Sequence, residues 1–359
     1  MDLLNSIREI KETDQNQFYE IIKNNFDDKY IFNYPDFIKW QYYPPEYNGE
    51  YLSLLVAEIK EKILGYIGFN PVRFNFLGKT VKGRVLSNLM VDQNYRQLGL
   101  GPFLVKKNEE ESDVIISLAY NRTTNKIFEL LNWRHDYILH RYIKILNIEN
   151  VESLINAKIP FPKKKIVKTA SNQLINKLKY FNSDNDFFWN KIKYKYCYTV
   201  ERNSFYLNWR YCNHPMFNYD IWQISENQNM QGYAITRTEK FDKFKLVRIV
   251  DFICDDDYEI SLFNFITSHF YDKGYDFIDF FFSGDYHLKS LLTCNYLSDK
   301  YPPLNKLPID YSPLSRERNH IEFAFVVLNK GFIIDNNWMD VRKWYLVKGD
   351  GDQDRPNFY

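Results

Sequence analysis

The chain has 359 residues, 45% hydrophobic and 26% charged, which is the balance of a globular chain able to bury a sizeable core and long enough for about two domains. Its 47 Lys and Arg against 46 Asp and Glu leave a formal net charge of +1, so the charge gives no reason to expect a nucleic-acid polyanion or an anionic membrane as partner. No run approaches the roughly 18 apolar residues of a membrane span; the first twenty residues carry charges throughout and no signal-peptide core; and the four cysteines form no CxxC pair, so a cytoplasmic protein with reduced thiols and no zinc site is expected.

In chain order, Asp14–Asn25 reads as a helix with Asp14 as its cap, and a second short helix falls near Pro35–Tyr43. "YLSLLVAEIK" and "KILGYIGFNPVRFNF" read as paired strands around a charged turn at Lys60–Lys62, and "GRVLSNLMV" as a third long strand. Pro102–Ser112 is expected to be helical, Asp113–Tyr120 an apolar central strand, Asn121–Trp133 an amphipathic helix capped by Asn121, and "YILHRYIKIL" the closing strand. Residues 151–200 read as a lysine-rich linker with a helix.

The second half repeats the order of the first. "FIKWQYYPP" (Phe37–Pro45) resembles "YLNWRYCNHP" (Tyr206–Pro215), and each is followed by a strand and by a Gly-Tyr pair opening the next, Gly65-Tyr66 and Gly232-Tyr233. "KLVRIVDFI", a helix near Tyr258–Lys273, "YDFIDFFFS" and a short helix around Asp285–Cys294 continue the match, at an offset of roughly 168 residues. A duplicated domain is the expectation. The halves differ at one turn. After "RVLSNLMV" comes "YRQLGLGPFLVKK"; after "RIVDFI" comes "CDDDYEI", three acidic residues where the first half has glycines.

A strand running through a glycine turn into a helix N-terminus presents free N–H groups and the positive end of the helix dipole to an anion. The P-loop pattern is absent because no Lys-Ser/Thr follows, and the dinucleotide fingerprint lacks its third glycine. Arg96-Gln97-Leu98-Gly99-Leu100-Gly101 instead resembles the R/Q-x-x-G-x-G/A loop of the Gcn5-related N-acetyltransferase (GNAT) superfamily, which cradles the pyrophosphate of acetyl-coenzyme A. The stretch from Asn121 to Trp133 is similar to the superfamily's next motif, with Asn121 on its Asn, Glu129 on its Glu, Trp133 on its closing aromatic and Asn132 in place of its Gly. The family's tyrosine acid falls on Phe128, which has no proton to give.

The resemblance implies an α/β (α+β) fold of two tandem GNAT-like domains, each a mixed, mostly antiparallel twisted sheet flanked by helices, with the C-terminal copy degenerate. The expected division is 1–150 for the domain with the acetyl-CoA site, 151–200 for the linker, 201–335 for the degenerate, acceptor-side copy, and 336–359 for a C-terminal strand and polar tail. Acetyl-CoA, or another short acyl-CoA, is the implied co-substrate, held by Leu89, Met90 and Val91 of the strand, by Arg96, Gln97, Leu98, Gly99, Leu100, Gly101, Pro102 and Phe103 of the turn, and by Asn121, Asn125 and Phe128 of the following helix. Backbone N–H groups near Leu89–Val91 are expected to meet the acyl carbonyl, and the pantetheine arm to pair with the strand like an added one. Asn88, Tyr120, Asp251 and His287 are the candidate catalytic side chains.

The inferred reaction is acyl transfer to the amine of a small molecule. The implied acceptor is a nucleotide-linked amino-sugar of surface-polysaccharide synthesis, with Trp209, Arg210, Tyr211 and His214 as the set that could stack a base and hold a phosphate. An aminoglycoside-like amine, an aminoacyl-tRNA and a non-catalytic protein that senses CoA or a metabolite stay open. In the tail "KGDGDQDRPNFY" the acidic residues lack the spacing of a calcium loop, and the stretch reads as a polar turn.

Overall fold

The computed structural model describes residues 3–26, 31–160, 174–311, 314–315, 320–329, 331 and 336–355. The first half runs β1 (Ile7–Glu9), α1 (Gln15–Asn25), α2 (Pro35–Tyr42), β2 (Leu54–Ile59), β3 (Lys62–Phe76), β4 (Lys79–Val91), α3 (Leu100–Lys107), β5 (Val114–Leu118), α4 (Arg122–Leu130), β6 (Arg134–Ile145) and α5 (Ile148–Ile155). The second runs β7 (Leu174–Leu178), α6 (Ser183–Ile192), β8 (Tyr198–Val200), α7 (Ser204–Leu207), β9 (Asp220–Glu226), β10 (Asn229–Phe241), β11 (Phe244–Cys254), α8 (Asp256–Asp272), β12 (Phe277–Phe282) and α9 (Leu288–Thr293). Short strands β13 (Leu297–Ser298), β14 (Asp310–Tyr311) and β15 (Leu314–Ser315) precede β16 (Ile321–Val327). Among the described residues no helix is long and apolar enough to cross a membrane. Of the stretch 151–200 expected as a lysine-rich linker with a helix, residues 161–173 lie outside the described residues, and the rest holds the end of α5, β7, α6 and β8.

The hairpins explain why both halves begin alike. Lys60 and Glu61, between β2 and β3, both have positive φ, and so do Asn227 and Gln228 between β9 and β10. Two central residues of positive φ make the turn whose twist matches that of paired strands, so each hairpin closes on two residues. β4 then pairs parallel with β5, and β11 with β12, through the crossover helices α3 and α8. β12 is buried along its whole length. Strands covered on both faces read as continuous apolar runs, which is how "FIDFFF" reads.

The sheet order is β1-β2-β3-β4-β5-β16-β6-β12-β11-β10-β9-β7, with β8 on β3 and β13 on β6. The halves therefore do not separate as contiguous blocks. β16, which the sequence assigns to the second copy, lies against β5 of the first. β6 pairs with β16 through Arg134–Leu139 and with β12 through His140–Ile145. Each half completes its sheet with a strand of the other, so one sheet spans both. In place of the C-terminal strand expected in 336–359, the described residues 336–355 form short helical turns and isolated bridges, at Tyr198–Trp344 and Phe282–Val347.

The repeated Trp motif meets itself. The Trp40 and Trp209 rings stack at 5.4 Å between centroids, 23° apart. Trp40 Nε1 donates to the Trp209 carbonyl at 2.8 Å, and Trp209 Nε1 donates to the Trp40 carbonyl at 2.9 Å. A contact in which each partner offers the other the same groups is the mark of a two-fold relation. Truncation of a buried aromatic side chain costs about 3–5 kcal/mol. Trp209→Ala is therefore expected to lower unfolding stability by that amount in urea, and Leu130→Ala, at an exposed position, by under ~0.5 kcal/mol.

Candidate active site

Parallel pairing of β4 with β5 runs from Gly83–Val114 to Leu86–Ser117. Past that point a cavity of about 390 Å³ opens between the strands, lined by Ser87, Asn88, Leu89 and Met90 on one side and by Leu118, Ala119 and Tyr120 on the other. The β3–β4 register slips between Tyr66 and Gly68, which pair with Met90 and Ser87. Asn88 and Leu89 thus face the single residue Ile67, a β-bulge that takes them out of the ladder. Asn88 has φ +51, the left-handed region that Asn tolerates.

Gly99, at the N-cap of α3, stands at φ +67, ψ +30, and Gln97, Leu98 and Gly99 are exposed. The first turn of a helix leaves its N–H groups without intrahelical acceptors. Here Leu100 and Gly101 lead it, and Pro102 has no N–H to leave unpaired. A side chain at Gly101 would bring its Cβ to 2.9 Å of Ile127 Cδ1 on α4 and 3.9 Å of Leu89 Cδ2 on β4. The turn, the bulged strand and α4 are therefore in contact. Arg96 lines the cavity, and its Nε donates to the Val91 carbonyl at 3.3 Å; Gln97 donates to the Asn94 carbonyl at 2.7 Å.

On α4, Asn121 lines the cavity and caps the helix, its Oδ1 accepting from Thr124 N at 2.9 Å. Asn125 is turned onto Asp136, 2.8 Å away. Phe128, 1% exposed, forms the floor, stacked on Trp133 at 4.6 Å. Phe103 packs against the neighbouring apolar cluster.

Among the candidate catalytic residues, Asn88 and Tyr120 reach the cavity. Asn88 Nδ2 donates to the Tyr42 hydroxyl at 2.7 Å, and its Oδ1 accepts from Arg355 at 2.9 Å. The Tyr120 hydroxyl donates to the Phe323 carbonyl at 3.3 Å and accepts from Asp136 N at 2.9 Å. Burial pushes its pKa well above the ordinary tyrosine range. Its proton is committed to the backbone of β16.

The other two lie in the interior. Asp251 is fully buried; Arg202 reaches its carboxylate at 2.9 Å and the Tyr211 hydroxyl donates to it at 3.2 Å. Burial pushes it up to about 6, against the pull of Arg202. His287 is 5% exposed, with Nδ1 2.6 Å from Glu259 inside a shell of aromatic rings. Neither can meet a substrate, which corrects the expectation that the second half supplies an acid or base across a cleft. The nucleotide set fails for the same reason. Trp209 is stacked on Trp40; Arg210, 3% exposed, donates to the Gly349 carbonyl at 2.6 Å and the Gly351 carbonyl at 3.0 Å; Tyr211 is 2% exposed. His214 is buried, its Nδ1 accepting from Met216 N and Phe217 N. An Arg and three aromatic residues in one short stretch form a core plug as readily as a base-stacking site, and the spacing does not distinguish them.

The residues that sequence reasoning missed are in the tail. Asp352, Gln353 and Arg355 line the cavity, and Asp352 is the one carboxylate among its described lining residues. Arg355 Nη1 lies 3.0 Å from Asp352 Oδ2, and Gln353 Nε2 donates to Asp352 Oδ1 at 2.7 Å. Buried cations fix the segment. Arg202 pairs with Asp350 at 2.8 Å, and Arg237 with Asp354 at 2.6 Å. Burial would raise the Asp354 carboxyl, but Arg237, with Lys348 and Arg210, outweighs it and holds it well below the usual carboxylate range. No local signal in "GDGDQDR" points to a cavity 230 residues upstream in the chain.

The same segment explains the degenerate half. β11 and β12 pair only from Leu246–Phe277 to Ile249–Phe280. The space beyond is filled by fully buried Trp344, Tyr345 and Leu346. Ser283 N donates to the Leu346 carbonyl at 2.9 Å, and the Tyr345 hydroxyl donates to the Phe252 carbonyl at 2.5 Å. At its turn, Asp255 caps α8 by accepting from Asp257 N.

The family model described as "Myristoyl-CoA:protein N-myristoyltransferase, N-terminal domain" matches residues 5–113. No curated protein sequence matches the chain. Among solved structures, a GCN5-related N-acetyltransferase from Anabaena variabilis superposes at TM-score 0.59 and 12% identity, covering 90% of this chain and 72% of that one. A probable N-acyltransferase from Enterococcus faecalis gives 0.59 at 10% identity, covering 92% and 74%. N-myristoyltransferase of Saccharomyces cerevisiae, solved with myristoyl-CoA and inhibitors, gives 0.53 at 12%, covering 91% and 81%. The chain has the tandem fold of the GNAT and N-myristoyltransferase type of acyl-CoA N-acyltransferase.

Gly101→Glu is expected to abolish coenzyme A binding in calorimetry, through bulk against Ile127 and like charge at the anion turn, while Asp255→Ala leaves the affinity unchanged. A second expectation concerns acid. Burial, aided by Arg210, lowers His214 from its ordinary 6.5 to about 3. The unfolded chain takes up this proton near pH 6.5 and the folded chain does not, so the His214 contribution is whole above 6.5 and is lost as pH falls toward 3. Asp251, raised from 3.8 to about 6, acts in the opposite sense between those values. His214→Asn should therefore lose less stability than the native chain between pH 7 and pH 4.5, measured by urea midpoints.

Proposed function

We propose that this protein transfers an acyl group from an acyl-CoA to the primary amine of a small molecule. The observation that carries the reading is the opening between β4 and β5, with the glycine turn beside it and Asp352 as the carboxylate in its wall. The edge of β4 beyond the end of its pairing with β5 can take the pantetheine arm as an added strand, and the first turn of α3 can take the diphosphate.

An amine reaches the site as the ammonium ion and must lose a proton before it attacks. Asp352 is positioned to accept it. The neutral amine then adds to the thioester carbon, and the backbone N–H of Leu89, beside the bulge, can hold the oxyanion. Collapse breaks the C–S bond, and the thiolate leaves as coenzyme A. The nitrogen that has added still carries one proton too many; it passes through solvent to the leaving thiolate, whose conjugate acid has a pKa near 8.5, and Asp352 returns its own proton to solvent, so neither Phe128 nor Tyr120 is needed as an acid.

The donor we infer carries acetyl or another short acyl group. Asn25, Ser87, Asn88 and Arg355 in the wall give a long alkyl chain no continuous apolar bed. For the acceptor we retain an amino-sugar as the first class to test. Its nucleotide handle now lacks the residues expected to grip it, because Trp209 and Arg210 are interior.

Thiol release should be followed with acetyl-CoA and myristoyl-CoA against a panel of free and nucleotide-linked amino-sugars, aminoglycosides and N-terminal glycine peptides. Turnover with acetyl-CoA on one amine class is expected. Tight coenzyme A binding with no turnover on any amine would leave a sensor instead. Asp352→Asn should lower kcat by about 10²–10⁴ with the KM for acyl-CoA unchanged, as loss of a proton acceptor does. Tyr120→Phe should stay within about threefold of the native kcat, a change of under ~1 kcal/mol in the barrier.

A further inference from the structure

The tail crosses the opening between the two parting strands. At one end Gly351 lies against β5: a Cβ there would stand 3.0 Å from the Leu118 Cβ. At the other end Arg355 reaches β4, where its Nη1 donates to Asn88 Oδ1 at 2.9 Å. Between the two, Asp352 lines the cavity, and the same Nη1 donates to its Oδ2 at 3.0 Å. Arg202 on Asp350 and Arg237 on Asp354 fix this stretch of chain from the second half. One nitrogen of Arg355 thus joins the carboxylate on the tail to the bulge on the facing strand.

Asn88 is where that tie matters. Its φ of +51 is a conformation that a residue with a side chain keeps only where its surroundings hold it. Two side chains grip its amide from opposite ends. Nδ2 donates to the Tyr42 hydroxyl at 2.7 Å, and Oδ1 accepts from Arg355. Tyr42 is fully buried and wedged against β3 at Gly68, where an added Cβ would run into its ring. The Tyr42 hydroxyl also lies 3.2 Å from Ser87 Oγ, the residue before Asn88. The peptide that follows Asn88 carries the N–H of Leu89, so a fixed Asn88 fixes the direction of that N–H.

We propose that Arg355 is a positioning residue for acyl transfer. It holds the proton acceptor, Asp352, and the oxyanion donor, the Leu89 N–H, at a set separation across the opening. The assignment rests on the acyl-transfer reading above. Misplacing reacting groups by about 1 Å costs on the order of 10²-fold in rate, so a side chain that sets the distance between two of them governs kcat without touching the substrate. An arginine that served only to neutralise Asp352 would leave the direction of the Leu89 N–H unchanged.

The test uses the full-length protein, steady-state kinetics with acetyl-CoA and an accepted amine, and infrared difference spectra of bound acetyl-CoA isotope-labelled at the thioester carbonyl. A hydrogen bond to that carbonyl lowers its stretching frequency, and the native protein is expected to show the shift. Arg355→Met should lose it and should lower kcat by about 10²-fold, with the KM for acetyl-CoA and the urea midpoint unchanged. Asn88→Gly keeps the left-handed backbone accessible and removes the gripped amide, so it should lose the same shift. The double variant should lose no more kcat than the worse single one, because residues that act as a unit are not additive. A carbonyl shift that survives in Arg355→Met overturns the proposal, and so do losses that multiply in the double variant; turnover by the native protein keeps the acyl-transfer reading in either case. An Arg355-dependent shift in a protein that acylates no amine supports the hold on Leu89 and removes the transfer reading. Failure of acetyl-CoA to bind overturns both.

Discussion

Two parallel strands that part company leave backbone N–H and C=O groups that must find partners or face water. This constraint organises the whole molecule, because it arises twice and is met in two ways. Between β11 and β12 the chain meets it internally, with Trp344–Leu346 threaded into the gap and bonded to Ser283 and Phe252. Between β4 and β5 the gap stays open as a cavity, and beside it stand a left-handed glycine and a helix start. A duplicated fold has thereby become one half with a vacancy and one half that fills its own.

The filling segment also joins the halves functionally. After passing through the second half it is clamped by Arg202, Arg210 and Arg237, and then delivers Asp352 and Arg355 to the wall of the first cavity. Buried guanidinium groups are costly unless paired and fully bonded. Here each finds a carboxylate or backbone carbonyls of the same segment. The exchange of β6 and β16 and the reciprocal Trp40–Trp209 contact act alongside this clamp. Relative motion of the halves would have to break sheet hydrogen bonds, so the two sides of the site are held in fixed register.

Much of the fold could be read from local pattern. The extents of α1 and α2 and the hairpins at Lys60–Glu61 and Asn227–Gln228 follow from period and turns, and the helices after Asn121 and Asp255 also from their side-chain caps, which act over a few residues; Asp14, expected to cap α1, instead accepts from Arg8 and the Lys11 N–H. The glycine turn was legible for the same reason, since Gly99 and Gly101 sit within one loop. The acceptor side was not. Trp209, Arg210 and Tyr211 have the composition of a ligand site and the burial of a core. The sequence cannot separate the two, because an arginine stacked on aromatic rings can bind either a ligand or its own chain's carbonyl groups.

The amino-acid sequence by itself determined the duplication, the βα units and the glycine turn that leads into α3, all of them written in contacts between near neighbours. Tertiary structure alone decided which half keeps an open cleft, which strands change places, and that a polar tail contributes the carboxylate of the candidate site. Those outcomes depend on pairings between residues more than 200 positions apart, such as Asn88 with Arg355 and Tyr120 with Phe323. Nothing in either partner's local sequence encodes the other, because such pairs form only when the sheet has closed around them.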